Sequence, residues 1–94
     1  MNQELIPRID SNLIWRQVDE NIVVVSPRSG EMRVFNGVGT VIWQLLVEQK
    51  KPDFIVEHLT TCYQVSREQA ENDLQTFLTD LQNRELLQWT PFES

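Results

Sequence analysis

The stretch SPRSGEMRVFNGVGTVIWQLL, residues 26–46, changes its hydrophobic period without an intervening linker. Before Asn36 the apolar residues stand in short β-rich runs, and after it they recur at the spacing of one helix face. The apolar residues of that face are Val38, Val41, Ile42, Leu45 and Leu46. Asn36 is expected to be the N-cap of this first helix, because its side-chain oxygen can accept hydrogen bonds from the amides that follow. A strand must therefore connect to a helix through a sharp turn, which Gly37 and Gly39 permit.

Three short strands are predicted before this junction. The runs LIWRQVD and NIVVVS, residues 13–19 and 21–26, flank a turn signal and predict a hairpin. In the next turn, Pro27 sets φ and Gly30 can take the left-handed conformation. A third strand is expected over Glu31–Phe35, so the three strands form an antiparallel meander.

Two more helices are predicted after the first. The second is expected to begin at Pro52, and the third at Ser66, which forms a capping box with Gln69. The expected buried residues of the second helix are Ile55, Val56, Leu59, Cys62 and Tyr63. Those of the third helix are Ala70, Leu74, Phe77, Leu78 and Leu81. The third helix is expected to end near Arg84, and the tail LLQWTPF to return to the body as a short extended segment.

This order of elements predicts an α+β fold that resembles a winged helix-turn-helix, with a three-stranded antiparallel sheet followed by three helices. The 94 residues are enough for one modest core, so residues 1–94 are expected to form a single domain. Residues 1–12 could be a flexible arm or could pair onto a sheet edge, and the sequence leaves both alternatives open.

The charge distribution disfavours nucleic acid as a ligand. The net charge is −6 and the eight basic residues are spread along the chain, whereas affinity for nucleic acid depends on clustered cations. The third helix, from Ser66 to Arg84, has two arginines against four carboxylates, which opposes a role as a DNA-reading helix. The acidic residues on or just after this helix, Glu68, Glu71, Asp73, Asp80 and Glu85, fit a solvated face or a surface that meets a basic peptide equally well.

A cytoplasmic location is expected, without membrane contact. No apolar run approaches the roughly 20 residues that span a bilayer, and the N-terminus lacks the pattern of a signal peptide. Cys62 is the sole cysteine, so no intramolecular disulfide can form, in agreement with a reducing compartment.

Residues capable of catalysis are few. His58 has no neighbouring nucleophile or orienting partner in the sequence, and with Cys62 it falls short of the usual set of metal ligands. The run NGVGT lacks the lysine and the spacing of a phosphate-binding loop, so it is interpreted as a tight strand-to-helix turn. We therefore expect no catalytic residue, no metal site and no cofactor, and a protein that is not an enzyme.

The sequence resembles the PqqD-like proteins, which act as peptide-recognition elements in ribosomal peptide maturation. The most characteristic part is a strand that ends in a hydrophobic residue and Asn, followed by a small-residue turn and Ile-Trp, here over residues 35–43. A second matching feature is Tyr63 and Val65 before a helix rich in Leu and Phe. The resemblance extends from about Leu13 to Trp89.

The resemblance implies binding without catalysis. In the family, the leader segment of a precursor peptide adds as a strand to the edge of the sheet at the third strand, in a groove against the third helix. The positions implied to bind peptide are Glu31, Met32, Arg33, Val34, Phe35, Asp73, Leu74, Phe77, Asp80 and Leu81. Leu74 and Leu81 also fit the core stripe of the helix.

The implied partners are a precursor peptide and a maturation enzyme, a protease or a radical enzyme, that acts in trans. A lasso-peptide pathway is the preferred setting, followed by pyrroloquinoline quinone biosynthesis or maturation by a radical enzyme. Two alternatives remain open at this point. The chain could be a winged helix-turn-helix regulator that binds DNA, or a structural subunit of a larger enzyme.

Overall fold

The computed structural model describes residues 5–91, which form five strands and three helices. In chain order these are β1 Leu5–Ile9, β2 Ile14–Val18, β3 Asn21–Val25, β4 Met32–Phe35, α1 Val38–Val47, α2 Pro52–Tyr63, α3 Arg67–Asn83 and β5 Leu87–Pro91. The predicted α+β fold, with a three-stranded antiparallel sheet followed by three helices, is confirmed. None of the three helices is both long and apolar enough to cross a bilayer.

The three-stranded sheet has the order β2-β3-β4 and is built by two local turns. The β2–β3 hairpin closes with Val18 opposite Asn21, and Asp19 takes the left-handed conformation in the turn. In the next turn, Gly30 has a φ of 74° and donates to the carbonyl of Ser26 at 2.8 Å, as its position in the sequence predicts.

A second sheet of two strands pairs the two ends of the described chain. β1 runs antiparallel to β5, with Ile9 opposite Leu87 and Leu5 opposite Pro91. Of the two alternatives left open for the N-terminal segment, strand pairing is thus observed for residues 5–9, and residues 1–4 lie outside the described part. The predicted extended tail is confirmed as β5.

The core lies between the three-stranded sheet and the helices, with Trp43 of α1 at its centre. The Trp43 ring stacks on Phe35 of β4 at a centroid distance of 5.6 Å and meets the Trp15 ring edge-on at 6.1 Å. The prediction that Cys62 and Tyr63 are buried is wrong. Both lie exposed in the last turn of α2, whose buried residues are Ile55, Val56 and Leu59.

The junction between β4 and α1 differs from the prediction in its capping residue. Gly37, with φ 56° and ψ −127°, occupies the N-cap position, and no side chain caps the helix. Asn36 contributes only its carbonyl, which accepts from the amide of Gly39 at 3.0 Å. The side chain that ties the junction together is Thr40, whose hydroxyl lies 3.1 Å from the carbonyl oxygens of Phe35 and of Glu20.

Gly37→Ala should destabilise the fold by about 1–3 kcal/mol, because its φ and ψ lie outside the left-handed region open to residues with a Cβ. The added Cβ meets no atom within 4 Å, so the loss would come from backbone strain alone. Gly30→Ala is the matched control, with equally open surroundings, and should cost about 1 kcal/mol. Urea denaturation measures both, and a smaller loss for Gly37→Ala than for Gly30→Ala would contradict this account.

The start of α3 keeps half of the predicted capping box. The Ser66 hydroxyl accepts from the amide of Gln69 at 3.1 Å, as expected for an N-cap. The Gln69 side chain does not reach back to Ser66, and instead donates to Asp73 at 2.8 Å. The cap fixes where α3 begins and therefore which of its side chains face β4.

Candidate functional site

The outer edge of β4 is open in the part of the chain that the structure describes. Ser26 donates to the carbonyl of Glu31 at 3.0 Å, so hydrogen-bonded pairs alternate along β4 from this point. By this alternation Arg33 and Phe35 direct their backbone groups toward β3, whereas Met32 and Val34 direct theirs away from the sheet. Within residues 5–91 no other segment bonds to the backbone of Met32 or Val34. The edge can accept a further strand through up to four hydrogen bonds.

The side chains of β4 alternate between the two faces of the sheet. Met32 and Val34 are 65% and 55% exposed on the outer face, which leaves both apolar side chains uncovered. Arg33 is half-buried and Phe35 is buried on the inner face, toward the helices. A strand that added to this edge would find apolar side chains on one face and the Arg33 guanidinium on the other.

Helix α3 lies beside this edge and forms the second wall of a groove, here called the β4–α3 groove. Its wall residues Asp73, Phe77 and Asp80 follow a helical spacing that places them on one face. The Phe77 ring lies 5.0 Å from the Phe35 ring. A Cβ on Gly39 would lie 3.3 Å from the Phe77 ring, so the glycine allows this close approach. The half-buried Phe77 ring, packed on the buried Phe35 ring, forms the floor of the groove.

An ionic network connects the two walls of the groove. Asp80 of α3 accepts from Arg33 at 2.7 Å and from Arg84 at 3.1 Å, and Arg84 also pairs with Glu31 at 3.1 Å. The Arg33 guanidinium lies 5.8 Å from the centroid of the Phe35 ring, a cation–π arrangement. These contacts tie the C-terminal end of α3 to the start of β4.

Asp80→Asn should weaken this connection by removing the charge shared by Arg33 and Arg84. The side chains of Arg33 and Asp80 are 34% and 37% exposed, so solvent screens the pair and the expected loss of stability is about 1 kcal/mol. Urea denaturation at low and high salt tests this, because the loss should shrink as salt screens the native pairs. Asp53→Asn is the control, as Asp53 is almost fully exposed and lies 4.0 Å from Arg67. A loss independent of salt would contradict an ionic role for Asp80.

Three of the residues implied to bind peptide have side chains in the core. Leu74 and Leu81 are 4% and 0% exposed, and Phe35 is buried against Trp43. The leucines lie on the face of α3 that packs inward together with Ala70 and Leu78. The two leucine side chains therefore point into the core, and the more accessible side chains along the groove are those of Asp73, Phe77 and Asp80 on the helix and of Met32 and Val34 on β4. Glu31 lies just before β4 and faces Arg84.

The residues whose side chains could act in catalysis or bind a metal, His58 and Cys62, lie on α2, away from this groove. His58 is half-buried, and its Nε2 lies 3.5 Å from the exposed sulfur of Cys62. In the described part of the chain, no group of three or more His, Cys, Asp or Glu residues is placed to hold a metal ion.

Arg67 of α3 and Arg84, which caps the C-terminal end of the helix, both pair with carboxylates of the protein. Arg67 lies 3.7 Å from Glu71, and Arg84 pairs with Asp80 and Glu31. These carboxylates offset the positive charge of both arginines, and the rest of the exposed helix face is acidic or neutral. The electrostatics of α3 therefore oppose DNA recognition.

Comparison with known proteins agrees with this architecture. Two solved structures match nearly the whole fold. One, TbiB1 in complex with the TbiA(beta) leader peptide, is 34% identical with a TM-score of 0.83 over 86% of this chain and 94% of that chain. The other, a lasso peptide synthetase B1 complexed with the leader peptide, is 28% identical with a TM-score of 0.81 over 87% of this chain and 96% of that chain. Among curated proteins none matches this sequence.

The sequence profile of one family covers β3 through the start of β5. This family is described as coenzyme PQQ synthesis protein D, and its profile matches residues 21–87, which include both walls of the β4–α3 groove. The resemblance noted in the sequence at residues 35–43 lies inside the matched region. From the profile match, together with the two structural matches, it follows that the chain belongs to the PqqD family.

Proposed function

We propose that this protein binds the leader segment of a ribosomally synthesised precursor peptide as an added strand on β4, without catalysing a reaction itself. The observation that carries the proposal is the open β4 edge, where Met32 and Val34 direct their backbone groups away from the sheet beside α3. An extended peptide satisfies such groups by strand addition. Both structural relatives are in complex with a leader peptide, which supports this ligand class.

The groove offers two kinds of contact to the leader. Backbone hydrogen bonds to Met32 and Val34 hold an extended peptide whatever its sequence, at about 0.5–1.5 kcal/mol each. Apolar side chains of the leader then select position and sequence by packing on Met32, Val34 and Phe77, at about 1.5–3 kcal/mol for each buried anchor. Four hydrogen bonds and two or three anchors sum to about 5–15 kcal/mol, and the upper part of this range, less an association cost of several kcal/mol, corresponds to a micromolar affinity.

The protein then acts as an adaptor for a separate maturation enzyme. We propose that it presents the leader to a protease or modifying enzyme in the cytoplasm, where the exposed Cys62 thiol would stay reduced. A lasso-peptide pathway is the favoured setting because one structural relative is a lasso peptide synthetase B1. The ionic network around Asp80 supports this role, since contacts that tie the two walls of the groove together lower the ordering cost of binding.

A binding titration tests the proposal. The probe is a fluorescently labelled synthetic leader from a short precursor reading frame sought beside this gene, and the readout is fluorescence polarisation. We expect saturable binding on the order of micromolar, and none for a scrambled leader of the same composition. Labelled duplex DNA in the same buffer is the second control. Binding to DNA but not to the leader would overturn the proposal in favour of a winged helix-turn-helix regulator.

A further inference from the structure

The two aspartates on the α3 wall of the β4–α3 groove differ in their partners. Asp80 pairs with two arginines, at 2.7 and 3.1 Å, so its charge is offset within the protein. Within residues 5–91 no cation pairs with Asp73, whose Oδ1 accepts from the neutral Gln69 side chain at 2.8 Å. Asp73 is half-buried, and the helical spacing turns it to the same side as Phe77. The groove therefore has one carboxylate whose negative charge is not offset by the described part of the chain.

The position of Asp73 along the groove follows from two contacts between β4 and α3. Arg33 pairs with Asp80. Two residues later in β4, the Phe35 ring packs on Phe77, which lies three residues earlier in α3. The helix therefore runs antiparallel to β4, and Asp73 lies one turn farther along, beyond the end of the strand. Four helical residues rise about 6 Å, close to the roughly 6.6 Å between alternate residues of a strand. Successive inward-facing side chains of an added strand would thus meet Phe77 and Asp73.

The direction of the added strand decides the order of these contacts in the leader. Antiparallel pairing is more stable per residue than parallel pairing, and β4 already pairs antiparallel with β3. Leader residues opposite Met32 and Val34 share their outer face. The leader residue opposite Phe35 points inward, onto Phe77. In an antiparallel strand, the residue that reaches Asp73 comes two positions before this inward residue.

We propose that the leader has a lysine or arginine two positions before the apolar residue that packs on Phe77, and that this cation pairs with Asp73. The inference rests on the proposed function and narrows its ligand class to leaders with the order basic, any residue, apolar. Asp73 is then a residue that determines specificity. Asp80 selects no charge in the leader, because two arginines of the protein already offset it.

Two capped peptides test the charge selection. Thr-Lys-Thr-Leu-Val-Thr-Val-Thr has the proposed order, with Leu placed on Phe77 and the two Val residues on the outer face. In the second peptide Gln replaces Lys. Backbone amide shifts of Met32 and Val34 measure both affinities. We expect the Lys peptide to bind about fivefold more tightly, and this preference to shrink at high salt, because Asp73 is partly exposed.

Asp73→Asn should bind both peptides with equal affinity. Asparagine keeps an oxygen that can accept from Gln69, so the substitution changes the charge and leaves the local hydrogen bond in place. Glu71→Gln is the matched control. It removes the same charge from α3, two residues away and on another face of the helix, and should keep the preference for Lys. Circular dichroism checks that both variants are folded.

The β2 edge of the same sheet is an internal control for the titration. The two-residue turn makes Val18 and Asn21 a hydrogen-bonded pair, so alternation directs the backbone groups of Trp15 and Gln17 away from β3. The amides of Trp15 and Gln17 should stay unshifted when the Lys peptide binds to β4. Larger shifts at these two amides than on β4 would overturn the inference.

Four further outcomes would overturn it. The first is no shift on β4 at millimolar Lys peptide, the second is equal affinity for the Lys and Gln peptides, and the third is a preference for Lys that Asp73→Asn retains. The fourth is a stronger preference for Lys in the reversed peptide, Thr-Val-Thr-Val-Leu-Thr-Lys-Thr, which would indicate a parallel strand. The leader titration decides the proposed function separately. If the wild-type protein and Asp73→Asn bind the leader equally well, the proposed function stands and this inference falls.

Discussion

Replacing Val34 by proline should abolish leader binding while leaving the fold intact. The Val34 amide points away from β3, so the β3–β4 ladder does not use it. Proline removes this donor and places a ring at the edge where the leader strand would lie. Loss of the hydrogen bond together with the steric clash should weaken binding by at least about a hundredfold. Fluorescence polarisation with the labelled leader measures the effect.

Gln17→Pro is the matched control for this substitution. It removes an outward amide of the same kind from β2, the opposite edge of the same sheet, and should leave leader affinity unchanged. Arg28→Ala in the turn before β4 should also leave it nearly unchanged. If Val34→Pro and Gln17→Pro weakened binding equally, with both variants folded by circular dichroism, strand addition at β4 would be wrong.

Phe77→Ala should have the second large effect, on both stability and binding. The ring is half-buried between Phe35 and Gly39 at the floor of the β4–α3 groove, so its removal should cost about 2 kcal/mol of folding free energy. It should also weaken leader binding by about tenfold or more, through loss of an apolar anchor. Urea denaturation and the leader titration, run where the variant is folded, separate the two effects.

Leu74→Val is the matched control, because it should lower stability without changing the side chains that line the groove. Leu74 belongs to the core face of α3, so its shortening should cost about 1 kcal/mol and leave leader affinity unchanged. Normal leader binding by folded Phe77→Ala would show that Phe77 serves the core alone.

The features predicted well from the sequence are those with local causes. Gly30 and Pro27 mark the turn before β4, and Ser66 marks the first turn of α3 through its own hydrogen bond. Residues 21–25 are β-branched apart from Asn21, and their pairing follows from the two short turns. At these turns and at the start of α3, the local sequence pattern was sufficient.

The features that were missed depend on residues distant in sequence or on competition between neighbours. β1 pairs with β5 at the opposite end of the chain, and no local pattern reports such a pairing. The pair Arg33 and Asp80 joins a strand to a helix, outside the helical spacing that reveals ion pairs within one element. At the start of α1, Asn36 has the side chain that is better suited to capping a helix, but the helix begins after Gly37, which has a positive φ.

The measurement that tests the central claim most directly is hydrogen exchange at the amides of Met32 and Val34, with and without leader. In the free protein, neither amide donates a hydrogen bond to any residue within 5–91, so both should exchange rapidly. A leader strand on β4 should slow exchange at Val34 and Met32 by at least about tenfold, while Trp15 and Gln17 on β2 stay unchanged. Protection at Trp15 and Gln17 instead, or at none of the four amides with leader bound, would contradict leader addition at β4.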